Sequence, residues 1–510
     1  MELPVFADDI VGRIEALLLF DESSPMTLAS GFFMLAFILF LTGYAVVRRV
    51  VTLRTLYVAA FSLYFYYKLS GIYLLLLLFV ALNDFFIAGR VAHDRRYCRS
   101  GRRWVVWSVT VNVAILAYFK ATGFFVDLLE GLYGEGVIDM GKVIAPAGVS
   151  FFVFQSISYV VDIYRDRIRP LGRFADYLFL LSFFPKMFLG PLVRNADFIS
   201  QMHSRDIAPS REDVERAARL IAGGLVKYAV LAKCIGVLLV RPAFAGQLGD
   251  GGFVALMAVY GFTMQIYCDF SGYSDLAVGV ALMMGFRLPQ NFDAPYHSAT
   301  ITEFWRRWHI SLSTWLKDYL YISLGGNRRG RLRTYWNLIV TMFLGGLWHG
   351  VGLTFIAWGL LHGVALALHK VWLAVIPGAA AVGWKMPWWR RVPGVIITFH
   401  LVAFGWLLFN ASDMTEVAAM LGNMVGNFDT AQIVPFVESH WVAFVMMGVG
   451  YAMHALPTSF DRRVESAVIR GGFVVQVVLI VAAIWCTMQC SAMLEAADVA
   501  GAGLPIYANF

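Results

Sequence analysis

The chain has 510 residues, of which 59% are hydrophobic and only 15% charged, and its mean hydropathy is +0.67. Soluble domains are about 45–50% apolar and about 25% charged, so the composition excludes a string of soluble globules and points to a polytopic membrane bundle. The net charge of +7 then belongs to cytoplasmic loops and not to a nucleic-acid surface.

The first 25 residues carry six acids (Glu2, Asp8, Asp9, Glu15, Asp21, Glu22) and one base, Arg13. That is the reverse of the basic start of a cleavable signal peptide, and an acidic leader before a span is expected to stay outside. The first span is predicted at about 27–47, stopping at Arg48 and Arg49, and two closely spaced segments follow at about 51–67 and 71–89. The loop Arg90 to Arg103 holds six arginines (Arg90, Arg95, Arg96, Arg99, Arg102, Arg103) against Asp94, so it is expected inside. The span at about 104–126 leads to Asp127, Glu130, Glu135, Asp139 and Lys142, an external loop by the same argument. The span at about 143–163 returns to Arg165, Arg167, Arg169 and Arg173, again inside. These loops agree on one orientation, with the N-terminus periplasmic.

Residues 174–200 are apolar but broken by Pro185, Gly190 and Pro191. They read as a hairpin or re-entrant element, because irregular backbone at membrane depth is tolerated only inside protein or a wet cavity. Further apolar stretches fall at about 217–242, 252–268, 335–349, 351–375, 393–410, 438–456 and 472–490. The expected architecture is all-α, with about ten to thirteen transmembrane or re-entrant helices in one integral-membrane unit over 1–510. Cys98, Cys234, Cys268, Cys486 and Cys490 form neither a disulfide framework nor a paired zinc spacing.

The chemistry concentrates in residues 265–350. Asp269, Ser271, Ser274 and Asp275 are expected at the end of an apolar helix. Residues 302–319 read as one amphipathic helix. Trp305, Trp308, His309, Leu312 and Leu316 share one face, and Arg306, Arg307, Lys317 and Asp318 lie on two others. A basic turn, Arg328 to Arg333, is expected in the cytoplasm. The apolar stretch after it delivers Gly345, Gly346, Leu347, Trp348, His349 and Gly350. An ionisable residue at that depth is a functional candidate by default, and an imidazole suits proton removal near neutral pH. His362, His369, His400 and His454 are read instead as hydrogen-bonding a neighbouring helix. His362 and His369 share a helix face, but no third ligand at metal spacing joins them. The tryptophans of 304–315 also have a plainer reading as interfacial anchors. No Gly-x-Ser-x-Gly elbow, Walker loop or His-Glu-x-x-His occurs, so serine hydrolase, P-loop ATPase and zincin chemistry lack their signatures.

Phe304-Trp-Arg-Arg-Trp-His309-Ile-Ser-Leu-Ser-Thr-Trp, then Tyr321-Ile-Ser-Leu-Gly-Gly-Asn-Arg and Gly345-Gly-Leu-Trp-His349-Gly, resemble the membrane-bound O-acyltransferases. Within them the chain is most similar to the membrane subunit of alginate O-acetylation and its relatives. Gly148 to Gln155, Tyr159 to Arg165, Ser182 to Arg194 and Gln265 to Asp275 agree with this, so the ordered similarity spans about 50–370, with a motif core at about 145–370. Ser323 departs from the proline that relatives often carry there.

The resemblance implies a helix-walled funnel in which a cytoplasmic acyl thioester, acetyl-CoA as the donor substrate, meets an acceptor from the opposite side. It implies catalytic roles for His349 and His309. Trp305, Trp308, Trp348, Asp269 and Ser271 are then candidates for the substrate and donor path. No bound cofactor and no metal are expected. The implied partners are a periplasmic esterase-like acetyltransferase and a polysaccharide acceptor such as alginate, in the inner membrane. D-alanyl transfer to teichoic acid is the rival inside the family, and a transporter or flippase without chemistry is the rival outside it; the latter predicts a repeat between halves that the sequence lacks.

Overall fold

The computed structural model describes residues 17–133, 145–376 and 387–496, apart from Ser23 and Asp206. The leader acids up to Glu15, Arg13, and the loop residues Glu135, Asp139 and Lys142 lie outside the described residues. Among the described residues every regular element is helical and none is a strand. The chain forms two compact units, one of 1–119, 143–210 and 283–286, the other of 120–142, 211–282 and 287–510.

The first unit contains α1 (Gly31–Val47), α2 (Val51–Ser70), α3 (Leu74–Arg96), the first part of α4 (Arg102–Tyr133), α5 (Val149–Tyr164), α6 (Phe174–Ser182) and α7 (Asn195–His203). Between α6 and α7 the chain makes a single turn, Phe184–Met187, containing Pro185, and then passes Gly190 and Pro191. Residues 176–191 are all buried, as irregular backbone at membrane depth requires. Phe184 anchors the break: its ring lies 5.0–6.1 Å from those of Phe33, Phe37, Phe40, Phe61 and Phe65. Buried Arg54 donates to the carbonyls of Met202 and Ser204 at 2.6 and 2.7 Å, satisfying acceptors at the end of α7 that the helix leaves open.

The second unit contains α8 (Arg211–Phe244), α9 (Gly252–Met283), α10 (Ile301–Arg307), α11 (Ile310–Trp315), α12 (Arg331–His349), α13 (Leu353–Val375), α14 (Trp388–Asn410), α15 (Met414–Gly426), α16 (Trp441–Ala455) and α17 (Thr458–Ala496, broken at Gly472). Two stretches of α8, Val226–Ala232 and Gly236–Val240, widen to π-helical turns. Glycines set the close contacts. A β-carbon on Gly224 would stand 2.7 Å from the Gly272 carbonyl, and one on Gly359 would stand 2.6 Å from that of Met342.

Among the described residues seven helices are long and apolar enough to cross a membrane, or eight if the pair Thr430–Ser439 and Trp441–Ala455, bent by 91°, is counted as one span. One of the seven, Val51–Arg96, is 46 residues long and holds both segments expected at 51–67 and 71–89, with a short 3-10 turn at Gly71 between them. α1 and α5 are apolar but shorter, at 17 and 16 residues. The stretch expected at 335–349 is the larger part of α12, whose first turn carries Arg331 and Arg333 and whose buried face includes Thr334, Asn337 and Thr341.

Candidate active site

His349 is the last residue of α12 and is 5% exposed. Gly350, Val351 and Gly352 turn the chain into α13, and Gly346 and Gly359 let the two helix backbones touch: their Cα atoms approach so closely that a β-carbon on either would meet the other's at 3.1–3.3 Å. This is the packing small residues allow between membrane helices. It brings the His349 ring against Trp348, Trp358 and Phe409, with centroids at 4.3, 5.3 and 4.9 Å. Phe409 also meets Trp406 at 5.6 Å, and Trp406 meets Trp308, the residue before His309, at 4.8 Å, so a run of packed rings leads from His349 to the segment carrying His309.

His309 does not sit on a continuous helix. The helix expected over 302–319 stops at Arg307, Trp308 is extended, and His309 adopts φ 42°, ψ 55° before α11 begins. Such a left-handed conformation is uncommon for a residue other than glycine and persists only where surroundings impose it. They do so here through residues 291–293. The Asp293 N–H donates to the Arg307 carbonyl at 3.0 Å and the Ile310 N–H to the Asn291 carbonyl at 2.9 Å. Asn291 Oδ1 accepts from the Ser311 N–H at 3.2 Å and the Ser311 hydroxyl at 2.9 Å, and lies 3.1 Å from His309 Nδ1. Because Oδ1 already faces a backbone donor, it is the acceptor for His309 as well, and the proton of the neutral imidazole belongs on Nδ1. Nε2 is then the basic nitrogen. Asn291 Nδ2 in turn donates to Ser274 Oγ at 3.2 Å, tying the arrangement to α9, and the Phe270 ring meets His309 edge-on at 4.5 Å.

The break separates residues that an unbroken helix would align. Trp308 is 1% exposed and packed among Phe292, Phe304, Tyr296 and Trp406. Trp305 is only partly buried, with its ring 5.9 Å from Trp358 and 5.3 Å from His362. Arg307, expected on a charged face of the helix, is held inward by Glu303 at 3.1 Å, and Glu303 also pairs with Arg391 at 3.3 Å. Lys317 is exposed, as is the basic stretch 327–333.

Asp269, Ser271, Ser274 and Asp275 lie within α9, not at its end, because the helix runs on to Met283. Ser271 accepts from Lys227 at 3.3 Å, and Lys227 pairs with Asp275, while Asp269 is buried on the same helix. Ser274 reaches His309 through Asn291. Sequence reasoning missed Asn291 and Lys227; neither stands in a motif whose spacing announces a role.

The remaining histidines divide. His369 Nδ1 lies 2.7 Å from the Thr302 hydroxyl, His400 Nε2 lies 2.9 Å from the Tyr260 hydroxyl, and His454 Nε2 accepts from the Tyr296 N–H at 3.3 Å. These three link separate elements, as expected. His362 is the exception: it is fully buried, and neither ring nitrogen has a hydrogen-bond partner among the described residues. Among the described residues no three His, Cys, Asp or Glu side chains converge as a metal site.

The segments carrying the quoted motifs agree with comparison to known proteins. Residues 165–412 match the model of the membrane-bound O-acyltransferase family. A Pseudomonas aeruginosa protein named "Probable alginate O-acetylase AlgI" is 38% identical over 74% of this chain and 70% of its own length. The chain belongs to the membrane-bound O-acyltransferase family. It is a multi-pass membrane O-acyltransferase, and its relatives point to acetyl as the group moved. A Helicobacter pylori peptidoglycan O-acetyltransferase is 33% identical over 72% of each chain. A Streptococcus thermophilus teichoic acid D-alanyltransferase is 32% identical over 52% of this chain and 68% of its own length.

Proposed function

We propose that this O-acyltransferase takes an acetyl group from a cytoplasmic thioester, acetyl-CoA, and passes it toward an extracytoplasmic polysaccharide such as alginate. The observation that supports the reading is buried His349, at the end of α12, joined through the packed rings of Phe409, Trp406 and Trp308 to the segment carrying His309, whose tautomer Asn291 sets. In this scheme His349 is the general base. It removes the proton of an acceptor hydroxyl, the oxygen attacks the thioester carbonyl, and the C–S bond breaks. The thiolate leaves and takes back the proton that the imidazolium carries. His309, with Nε2 as its basic nitrogen, accepts a hydrogen bond from a neighbouring hydroxyl of the glycan acceptor and so orients the attacking one. An oxyanion-stabilising role would need a donor at that nitrogen, so the orienting role is favoured.

The protein resides in the inner membrane with its N-terminus periplasmic, and a periplasmic esterase-like partner completes transfer to the polymer. The names of the alginate and peptidoglycan relatives support a glycan acceptor. The D-alanyltransferase relative keeps D-alanyl transfer as a second reading. Purified protein given labelled acetyl-CoA decides between them: release or transfer of acetyl by the wild type, reduced about 10²–10⁴-fold in His349→Ala, is expected. A His349→Ala variant keeping more than half the wild-type rate removes the base assignment. Activity only with a D-alanyl carrier protein moves the reading to the second acyl group, and no activity with either returns the transporter reading.

A further inference from the structure

Lys186, in the first unit, takes no part in acyl transfer, yet it is a buried cation. It lies in the single turn Phe184–Met187 and is 5% exposed. Among the described residues its ammonium meets Gln155 Oε1 at 3.4 Å and the Phe198 ring at 5.5 Å, and it pairs with no carboxylate. Beyond Gln155 stands Asn195, whose Nδ2 donates to Asp162 Oδ2 at 3.0 Å, so its Oδ1 accepts from Gln155 Nε2 at 2.5 Å. That order of donors fixes the Gln155 amide with its oxygen toward Lys186. Asp162 itself pairs with Arg167 at 3.5 Å. The network therefore offers Lys186 a dipole and no negative charge.

A small cleft opens beside the turn, lined by Phe151, Gln155, Lys186, Met187, Pro191 and Leu192 among others, with room for about one water-sized body. The backbone carrying Lys186 is held close on two sides. β-Carbons on Gly148 and Gly190 would stand 2.5 Å from the Met187 carbonyl oxygen and 2.8 Å from that of Pro185. An ammonium has three donors, and the long contact with Gln155 uses one of them. Buried charges are paired, because an uncompensated ammonium in a low dielectric is costly. The charge of Lys186 thus calls for a counter-ion of the cleft's size. The walls decide its kind. Lys186 is the single cation among the lining residues and most of the others are apolar, which suits a monovalent anion and not phosphate or sulfate. A halide is little larger than water and accepts hydrogen bonds from any direction.

We propose that this cleft is a halide site, in which Lys186 binds one anion of the chloride class and so neutralises the broken element between α6 and α7.

The test uses full-length purified protein in sodium gluconate, whose anion is too large for the cleft. Chloride or bromide then replaces gluconate at constant ionic strength while the thermal midpoint is followed. The wild-type midpoint is expected to rise by about 2–4 °C at chloride about tenfold above its Kd, and bromide should act alike. Crystals of the wild type grown in sodium bromide should show an anomalous peak beside Lys186 Nζ. Lys186→Met keeps an apolar stem of similar length and removes the charge, so its midpoint should not respond to halide. Lys186→Gln, which keeps a donor without the charge, should weaken the response at least about tenfold in chloride concentration. A wild type with neither a halide-specific shift nor a bromide peak overturns the proposal, and that arm needs no variant; it is the outcome if the cleft takes water or Lys186 is a neutral amine. A halide response in Lys186→Met or Lys186→Gln equal to that of the wild type overturns it as well.

Discussion

Asn291 Oδ1 lies 3.1 Å from His309 Nδ1 while holding the Ser311 N–H and hydroxyl. One loop amide thus shapes the backbone break that carries His309 and decides which ring nitrogen is protonated.

Asn291→Leu removes that acceptor, and kcat is expected to fall about 10–100-fold, the range for partners that orient a functional imidazole. The change should be mainly in kcat, with donor KM moving little. Asn291→Asp instead places a carboxylate against Nδ1 and stabilises the imidazolium, raising its pKa. The acid limb of the pH–rate profile should then move to higher pH, since Nε2 loses its lone pair over a wider range. Steady-state rates over a pH series check both; a profile that stays in place removes Asn291 from the orienting role.

Trp305 and Trp308 should respond differently. Trp308 is core, and truncating a buried tryptophan removes about 3–5 kcal/mol of packing, so Trp308→Ala should lower the thermal midpoint and the yield. Trp305, beside Trp358 and His362, should affect donor use: Trp305→Ala raises the donor KM more than Lys317→Ala does. If Trp305→Ala expresses fully with an unchanged KM, that side chain is only packing.

The contact of α12 with α13 gives an opposite pair of outcomes for one substitution type. Gly359→Ala drives a methyl group to 2.6 Å from the Met342 carbonyl, and overpacking of this kind costs about 1–3 kcal/mol. It should also displace His349 and depress the rate. Gly422, within α15, has no atom within 4 Å of its missing β-carbon, so Gly422→Ala should be neutral or stabilising by up to about 1 kcal/mol through helix propensity. Thermal unfolding in the same detergent compares them, and equal midpoints would show that the glycine contact does not hold the hairpin.

Topology follows from the arginine asymmetry of the loops. In a Cys98→Ser background, because Cys98 is exposed, a membrane-impermeant thiol reagent applied from outside should label a cysteine placed at Glu135. It should miss one placed at Arg99. The reverse pattern inverts the orientation on which a cytoplasmic donor depends.

The class of the molecule, its helical character and its family were legible in residue order alone. Apolar runs near bilayer length, arginine-rich loops and the motifs around His309 and His349 depend on local composition, and local composition is what a sequence displays. The apposed α12 and α13 were also foreshadowed, since Gly345 and Gly346 mark a place where backbones can approach.

Only the tertiary structure decided what residues 302–319 do. Their pattern has apolar and charged side chains at helical spacing and contains no proline or glycine, so nothing local interrupts a helix. The interruption comes from residues 291–293, whose backbone and Asn291 side chain offer the hydrogen bonds that an unbroken helix would have made within itself. Those partners are near in space and remote from helical periodicity. For the same reason Trp308 went to the core and Trp305 toward His362.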